Sequence, residues 1–91
     1  MEVIHLEIRG RVQGVGFRWF LQQQARALGL RGWVSNRPDG NVELAAAGEA
    51  EAVEKLARVA GKGPPGAFVE TVTRLPPLDE ASLPKPFGIL R

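Results

Sequence analysis

The stretch GRVQGVGFR, residues 10–18, lies between two segments of different periodicity and so decides how the fold begins. Before it, residues 3–9 alternate between apolar and polar side chains, which is typical of a half-buried β-strand. After it, a helical pattern places five apolar side chains on one face: Phe17, Phe20, Leu21, Ala25 and Leu28. The stretch therefore connects a first strand directly to a first helix.

The remaining elements are separated by glycine and proline, which commonly end helices and strands. They are a strand at 32–36 (GWVSN), a turn at 38–40 (PDG), a strand at 42–47 (VELAAA), a helix at 49–60 and a strand at 68–75 (FVETVTRL). Residues 76–86 contain four of the seven prolines and predict an extended connection. FGIL, at 87–90, can add a short fifth strand.

The order strand, helix, strand, strand, helix, strand predicts an α+β, ferredoxin-like βαββαβ two-layer sandwich. Its two helices should pack on one face of an antiparallel sheet. The 91 residues are enough for one compact domain, so we expect a single domain over 1–91. Because this arrangement hosts many functions, the function must be argued from a site.

Composition excludes several classes of protein. The chain has no cysteine, so disulfides and thiolate chemistry are impossible. No apolar run is long enough to cross a bilayer, and the start has no basic signal-peptide region, which favours a cytoplasmic location. The net charge is only +2 and the basic residues are scattered, so we expect neither a nucleic-acid partner nor a membrane. Nothing in the sequence requires more than a monomer.

The start of the first helix is a candidate anion site. The residues before and at this start are Gln13, Gly14, Val15, Gly16 and Phe17, and none of them is a strong side-chain cap for the free backbone N–H groups. A glycine-rich turn that leads into such a helix start can bind an anion.

Arg18 follows in the first helical turn, where a cation opposes the helix dipole unless an anion lies nearby. A plain glycine-rich connection with a surface arginine fits the same residues. Residue chemistry alone leaves both interpretations open.

Other candidates are weaker when judged from residue chemistry. Asn36 precedes the PDG turn and is most simply a turn residue that satisfies its own backbone. Trp19 and Trp33 are expected to pack, and His5 is expected on the surface with no catalytic partner. No residue cluster has the spacing of a metal site. An anion-binding loop, which we call the cradle, together with one arginine and one amide suits phosphoryl transfer from an acyl phosphate, because the carboxylate leaving group needs no proton.

The chain strongly resembles the acylphosphatases. Their G-x-V-Q-G-V-x-F-R loop matches residues 10–18, and their G-W-V-x-N-x-x-D-G-x-V-E motif matches residues 32–43. The resemblance implies hydrolysis of acyl phosphates without a cofactor. It also implies that Arg18 is the phosphate-binding catalytic arginine, that Asn36 positions the attacking water and that the backbone of Gln13 to Phe17 forms the phosphate cradle. Inorganic phosphate or sulfate should then compete with the substrate.

The sequence also leaves three alternative functions open. An RNA-binding module of the same topology would display aromatic side chains on a central strand, yet residues 41–48 contain none. A non-catalytic accessory domain that binds phosphate or carbamoyl phosphate is the main alternative, since similar domains begin hydrogenase-maturation carbamoyltransferases. An inactive descendant that only binds phosphate is the third. Arginine outnumbers lysine nine to three, which both heat-stable proteins and GC-rich genomes favour.

Overall fold

The computed structural model describes residues 1–90, and their elements follow the expected order. The five strands are β1 (Glu2–Arg11), β2 (Arg31–Asn36), β3 (Val42–Gly48), β4 (Phe68–Arg74) and β5 (Gly88–Leu90). The helices are α1 (Phe17–Ala27), α2 (Ala50–Lys62) and a short 3-10 turn, Glu80–Ser82. Among these described residues, no helix is long and apolar enough to cross a membrane. The βαββαβ arrangement, with the short fifth strand, is confirmed.

The five strands form one sheet in the order β4-β1-β3-β2-β5. The first four are antiparallel to their neighbours, as expected. β5 differs, because it pairs parallel to β2, with Ile89 opposite Val34. The chain leaves β4 at one edge, crosses the sheet at the end where β4 finishes, and returns along the other edge. β5 therefore runs opposite to β4 and in the same direction as β2, so the sheet is mixed.

Both helices pack on the same face of this sheet. The buried residues of α1 are Phe17, Leu21 and Ala25, and those of α2 are Val53, Leu56 and Ala60. They meet the inward side chains of the central strands in one apolar cluster that includes Ile4, Leu6, Ile8, Val34, Val42, Leu44 and Ala46. The spacing that predicted the two helical stripes thus corresponds to the observed core.

The proline-rich segment packs over part of the opposite face. Leu83 is 1% exposed and belongs to a second apolar cluster with Ala45 and Ala47 of β3. Two hydrogen bonds hold the segment in place. The backbone N–H of Gly32 donates to the carbonyl oxygen of Pro84 at 2.8 Å, and Nε of Arg31 donates to that of Leu83 at 2.8 Å. The small alanines leave room for this cover.

β1 has an irregular pairing with β4 near its end, just before the loop that leads to α1. The register between β1 and β4 shifts between Arg9 and Gly10. Gly10 has a φ of 135°, and a Cβ built on it would lie 2.1 Å from the carbonyl oxygen of Phe68. Only glycine permits this close approach of two backbones. The first glycine of GRVQGVGFR therefore serves strand pairing rather than the candidate anion site.

Candidate active site

The loop between β1 and α1 turns through two left-handed glycines. Gly14 has a φ of 77° and Gly16 a φ of 74°, a region that other residues enter only with strain. Gly16 is the N-cap of α1, and no side chain in the part of the chain described caps this helix start. The first helical hydrogen bond runs from Phe20 N–H to the carbonyl oxygen of Gly16, at 2.9 Å. The backbone N–H groups of Phe17, Arg18 and Trp19 therefore have no helical acceptor.

A cavity of about 160 Å³ opens at this helix start. It is smaller than the pockets of at least ~300 Å³ that hold drug-sized ligands, so it suits a small substrate. Its walls come from four elements or loops: Val12, Gly14, Gly16, Phe17, Arg18, Trp19, Asn36 and Ile89. The fold thus brings Arg18, at the start of α1, and Asn36, at the end of β2, to one cavity.

Arg18 provides a positive charge that no other described group neutralises. Its side chain is partly buried, and no carboxylate within residues 1–90 forms an ion pair with it. The guanidinium lies at the same end of α1 as the free N–H groups. Both features favour an anion there, and arginine can bind two oxygens of one phosphate at once.

Asn36 lines the same cavity and carries an unsatisfied polar atom. It is the last residue of β2, and its Oδ1 is buried without a hydrogen-bond partner among the residues described. A buried polar atom without a partner costs free energy unless a ligand or water satisfies it. The interpretation of Asn36 as a turn residue that bonds its own backbone is wrong in this structure.

Gln13 does not line the cavity, and neither does Val15, which packs against the apolar core. Instead, Nε2 of Gln13 donates to the carbonyl oxygens of Arg37, at 2.9 Å, and Asn41, at 3.0 Å. These bonds tie the glycine loop to the turn that follows Asn36. Of the residues assigned to the cradle, Gly14, Gly16 and Phe17 line the cavity, whereas Gln13 supports it from behind.

A charged network holds the other side of Asn36. Nη1 of Arg37 donates to Oε1 of Glu43 at 2.9 Å, and its Nε lies 3.5 Å from a carboxylate oxygen of Glu7. The Glu43 carboxylate, ahead of Asp39 and Glu7, raises the pKa of Arg37 above its ordinary value despite some desolvation. Arg37 therefore stays charged across the physiological range, and the backbone next to Asn36 is held at both ends of the turn.

His5 is less exposed than its position suggested. One ring nitrogen contacts the Glu43 carboxylate, and the other lies 3.1 Å from the carbonyl oxygen of Pro76. The ring also packs edge-on against Trp33, with 6.0 Å between centroids. The expectation that His5 lies on the surface was wrong, because the connection after β4 returns over this part of β1. His5 lies outside the cavity, and residues 1–90 hold no group of three or more His, Asp or Glu side chains arranged for a metal ion.

Comparison with known proteins identifies the family. A family model described as Acylphosphatase matches residues 4–82. The chain belongs to the acylphosphatase family. An acylphosphatase of Thermococcus kodakarensis is 56% identical over 68 residues, which cover 75% of each chain. A solved acylphosphatase structure from Coxiella burnetii matches with a TM-score of 0.84 and 36% identity, covering 97% of this chain and 90% of that one.

An acylphosphatase-like fold also occurs inside a much longer protein. The structure of HypF from T. kodakarensis matches with a TM-score of 0.79 and 30% identity, and the match covers all of this chain but 12% of HypF. Both sequence motifs of the acylphosphatases, at 10–18 and 32–43, lie within the residues that the family model matches. Ile89, which lines the cavity, lies beyond them.

Two cavity residues were missed by sequence reasoning. Trp19, expected to pack, is 63% exposed. Its position outside the buried stripe of α1 is a signal that could have shown this, because helix position sets which side chains face the core. Ile89 gave no such signal. It reaches the cavity of this acylphosphatase fold only because β5 pairs parallel to β2.

Proposed function

We propose that the loop and Arg18 bind the phosphoryl group of an acyl phosphate, and that Asn36 orients the water that hydrolyses it. The products are a carboxylate and inorganic phosphate. One observation carries the proposal: the same small cavity is lined by an arginine without an ion-pair partner, an uncapped helix start and an asparagine whose amide oxygen is unsatisfied. Residues 1–91 would act as a single domain.

The phosphoryl end is bound by charge and by backbone donors. The N–H groups at the start of α1 and the guanidinium of Arg18 provide hydrogen bonds of the charge-assisted kind. In phosphoryl transfer the transition state carries its charge on the phosphoryl oxygens, so donors fixed in place there lower the barrier. Gly14 and Gly16 contribute by leaving the approach open, since a Cβ at either would meet nothing within 4 Å.

The attacking water needs orientation more than activation by a strong base. Oδ1 of Asn36 has no partner in residues 1–90, so it can accept a hydrogen bond from that water and fix its direction of approach. Attack forms a bond from the water oxygen to phosphorus while the bond to the acyl oxygen breaks. The acyl oxygen leaves as a carboxylate, which requires no proton. Inorganic phosphate and sulfate resemble the bound group and should compete with the substrate.

The alternatives are less well supported. An RNA-binding module would need an open outer sheet face, whereas Ala45 and Ala47 lie beneath Leu83. A non-catalytic accessory domain that only binds phosphate or carbamoyl phosphate would need the loop but not a group that orients water, and Asn36 can supply such a group. Every group that the proposed mechanism uses comes from one chain, so a monomer is sufficient.

Release of phosphate from acetyl phosphate in the presence of EDTA tests the proposal. The wild-type chain should turn over without added metal. Arg18→Ala should lose turnover, and Arg58→Ala, which removes an exposed arginine on α2 that does not line the cavity, should keep it. A wild-type chain that binds phosphate but releases none from acetyl phosphate would overturn the enzymatic proposal in favour of the accessory domain.

A further inference from the structure

We propose that Trp19 and Ile89 form an apolar wall that holds the acyl group, so that this chain prefers acyl phosphates with an uncharged aromatic or other apolar acyl group. This inference rests on the proposed function and specifies its substrate class. The phosphoryl end of the substrate is common to all acyl phosphates. A difference in how tightly two acyl groups are bound must therefore come from the residues beside the acyl end.

Trp19 is a large apolar residue that stays exposed at the cavity instead of packing into the core. Its side chain is 63% exposed, and the other exposed large apolar residues within residues 1–90 are Met1, Phe68, Val72 and Leu90. Trp19 differs from those four in lining the cavity, directly after Arg18 in the chain. Exposed aromatic surface beside a binding site favours contact with apolar ligand groups, and aromatic rings gain further from stacking.

Ile89 supplies a second apolar surface from a different element. It is only partly buried and lies opposite Val34 in the parallel pair of β2 and β5. The other apolar cavity residues, Val12 and Phe17, are 1% and 2% exposed and already belong to the core. Trp19 and Ile89 are thus the apolar side chains of the lining that retain surface for a substrate.

The charges of the lining point to the same substrate class. Arg18 is the one charged side chain among the lining residues, and the phosphoryl group requires it. An acyl group with its own carboxylate would find no partner there and would add repulsion near the bound phosphate. The cavity therefore favours a benzoyl-like group over a charged one, and over acetyl because acetyl covers less of the wall.

The test compares kcat/KM for benzoyl phosphate and for acetyl phosphate in four proteins: wild type, Trp19→Ala, Trp19→Phe and Phe68→Ala. Phe68 is a matched control, since it is 64% exposed and does not line the cavity. The wild type should prefer benzoyl phosphate. Trp19→Ala should lower the benzoyl-to-acetyl ratio about 5- to 10-fold, the scale of one aromatic contact. Trp19→Phe should retain most of the wild-type ratio, and Phe68→Ala should leave the ratio unchanged.

The ratio separates this inference from the proposed function. Damage to the phosphoryl site lowers both rates and cancels in the ratio. A wild type that hydrolyses neither substrate would overturn the function and this inference together. Turnover of both substrates with an unchanged ratio in Trp19→Ala would overturn only this inference.

Binding can be followed without turnover. The chain has two tryptophans, so Trp33→Phe leaves Trp19 as the single indole fluorophore. Benzylphosphonate, a stable phosphonate with an aromatic group, should change the Trp19 emission more than methylphosphonate does at equal saturation. Identical responses to the two phosphonates would contradict contact between the acyl group and Trp19.

Discussion

The side chain of Gln13 holds the backbone of Arg37, because its Nε2 donates to the Arg37 carbonyl oxygen at 2.9 Å. This bond joins the loop that carries the free N–H groups to the residue that follows Asn36. The two halves of the cavity are therefore held at a fixed separation by a residue that does not line it. Positioning of this kind is worth a large factor in rate, since a displacement of ~1 Å can cost up to ~10²-fold.

Gln13→Ala should lower kcat for acetyl phosphate by about 10-fold, because the loop and Asn36 lose their connection. Gln23→Ala removes an exposed glutamine on α1 and is the matched control, with kcat expected within about 2-fold of wild type. Steady-state kinetics of both variants decides. Equal kcat for Gln13→Ala and wild type would show that the hydrogen bonds of Gln13 do not position the site.

Asn36→Ala should reduce kcat by at least ~10²-fold while phosphate binding stays close to wild type, because the residue is proposed to act on the water and not on the phosphoryl group. Asn41→Ala removes another amide side chain from the turn after β2, one whose Nδ2 donates to the Glu7 carboxylate on β1 at 3.2 Å. This variant should keep most of the activity. Turnover and phosphate affinity are measured on the same samples. Loss of phosphate binding in Asn36→Ala would assign the residue to the cradle instead.

Gly16→Ala should destabilise the protein by about 1 to 2 kcal/mol, because alanine at a φ of 74° enters the left-handed region at that cost. Gly61→Ala offers the opposite case. Gly61 lies in α2, and a Cβ there meets nothing within 4 Å, so alanine should stabilise the helix by about 0.5 to 1 kcal/mol. Urea unfolding of both variants measures the difference. Two changes of the same sign would argue against a left-handed conformation at Gly16.

Inorganic phosphate should raise the Tm of the wild-type protein. A ligand at about ten times its Kd adds about 1.4 kcal/mol to the free energy of unfolding, and a domain of this size gains on the order of 4 to 8 °C per kcal/mol. Sodium chloride of equal ionic strength is the control. Arg18→Ala should abolish the shift. A shift of the same size with chloride, or with Arg18→Ala, would count against a specific anion site at the start of α1.

Leu83→Ala should lower the free energy of unfolding by about 2 to 3 kcal/mol, because its side chain is 1% exposed against Ala45 and Ala47. Leu90→Ala, at a position that is 44% exposed, should cost less than about 1 kcal/mol. Denaturant titration compares the two. A cost for Leu83→Ala below that of Leu90→Ala would mean that the proline-rich segment does not pack on the sheet in solution.

The sequence by itself determined the order of the elements, the two helical faces and the loop at residues 10–18. These follow from local physics. Side-chain periodicity selects strand or helix, and glycine and proline end each element, so a reader of the residues could place Arg18 at an uncapped helix start. The motif resemblance pointed to Asn36, although its residue chemistry alone suggested an ordinary turn.

Only the tertiary structure decided which distant residues share the cavity. Ile89 arrives through a parallel pairing of β5, and the direction of that strand depends on how the preceding segment crosses the sheet. Gln13 bonds the turn after β2, and His5 is covered by the connection after β4. Such contacts join residues that are far apart in the chain, so the local periodicity of the sequence cannot predict them. Trp19 is exposed at the cavity because Phe17, Leu21 and Ala25, on another face of α1, are the residues of this helix that pack into the core.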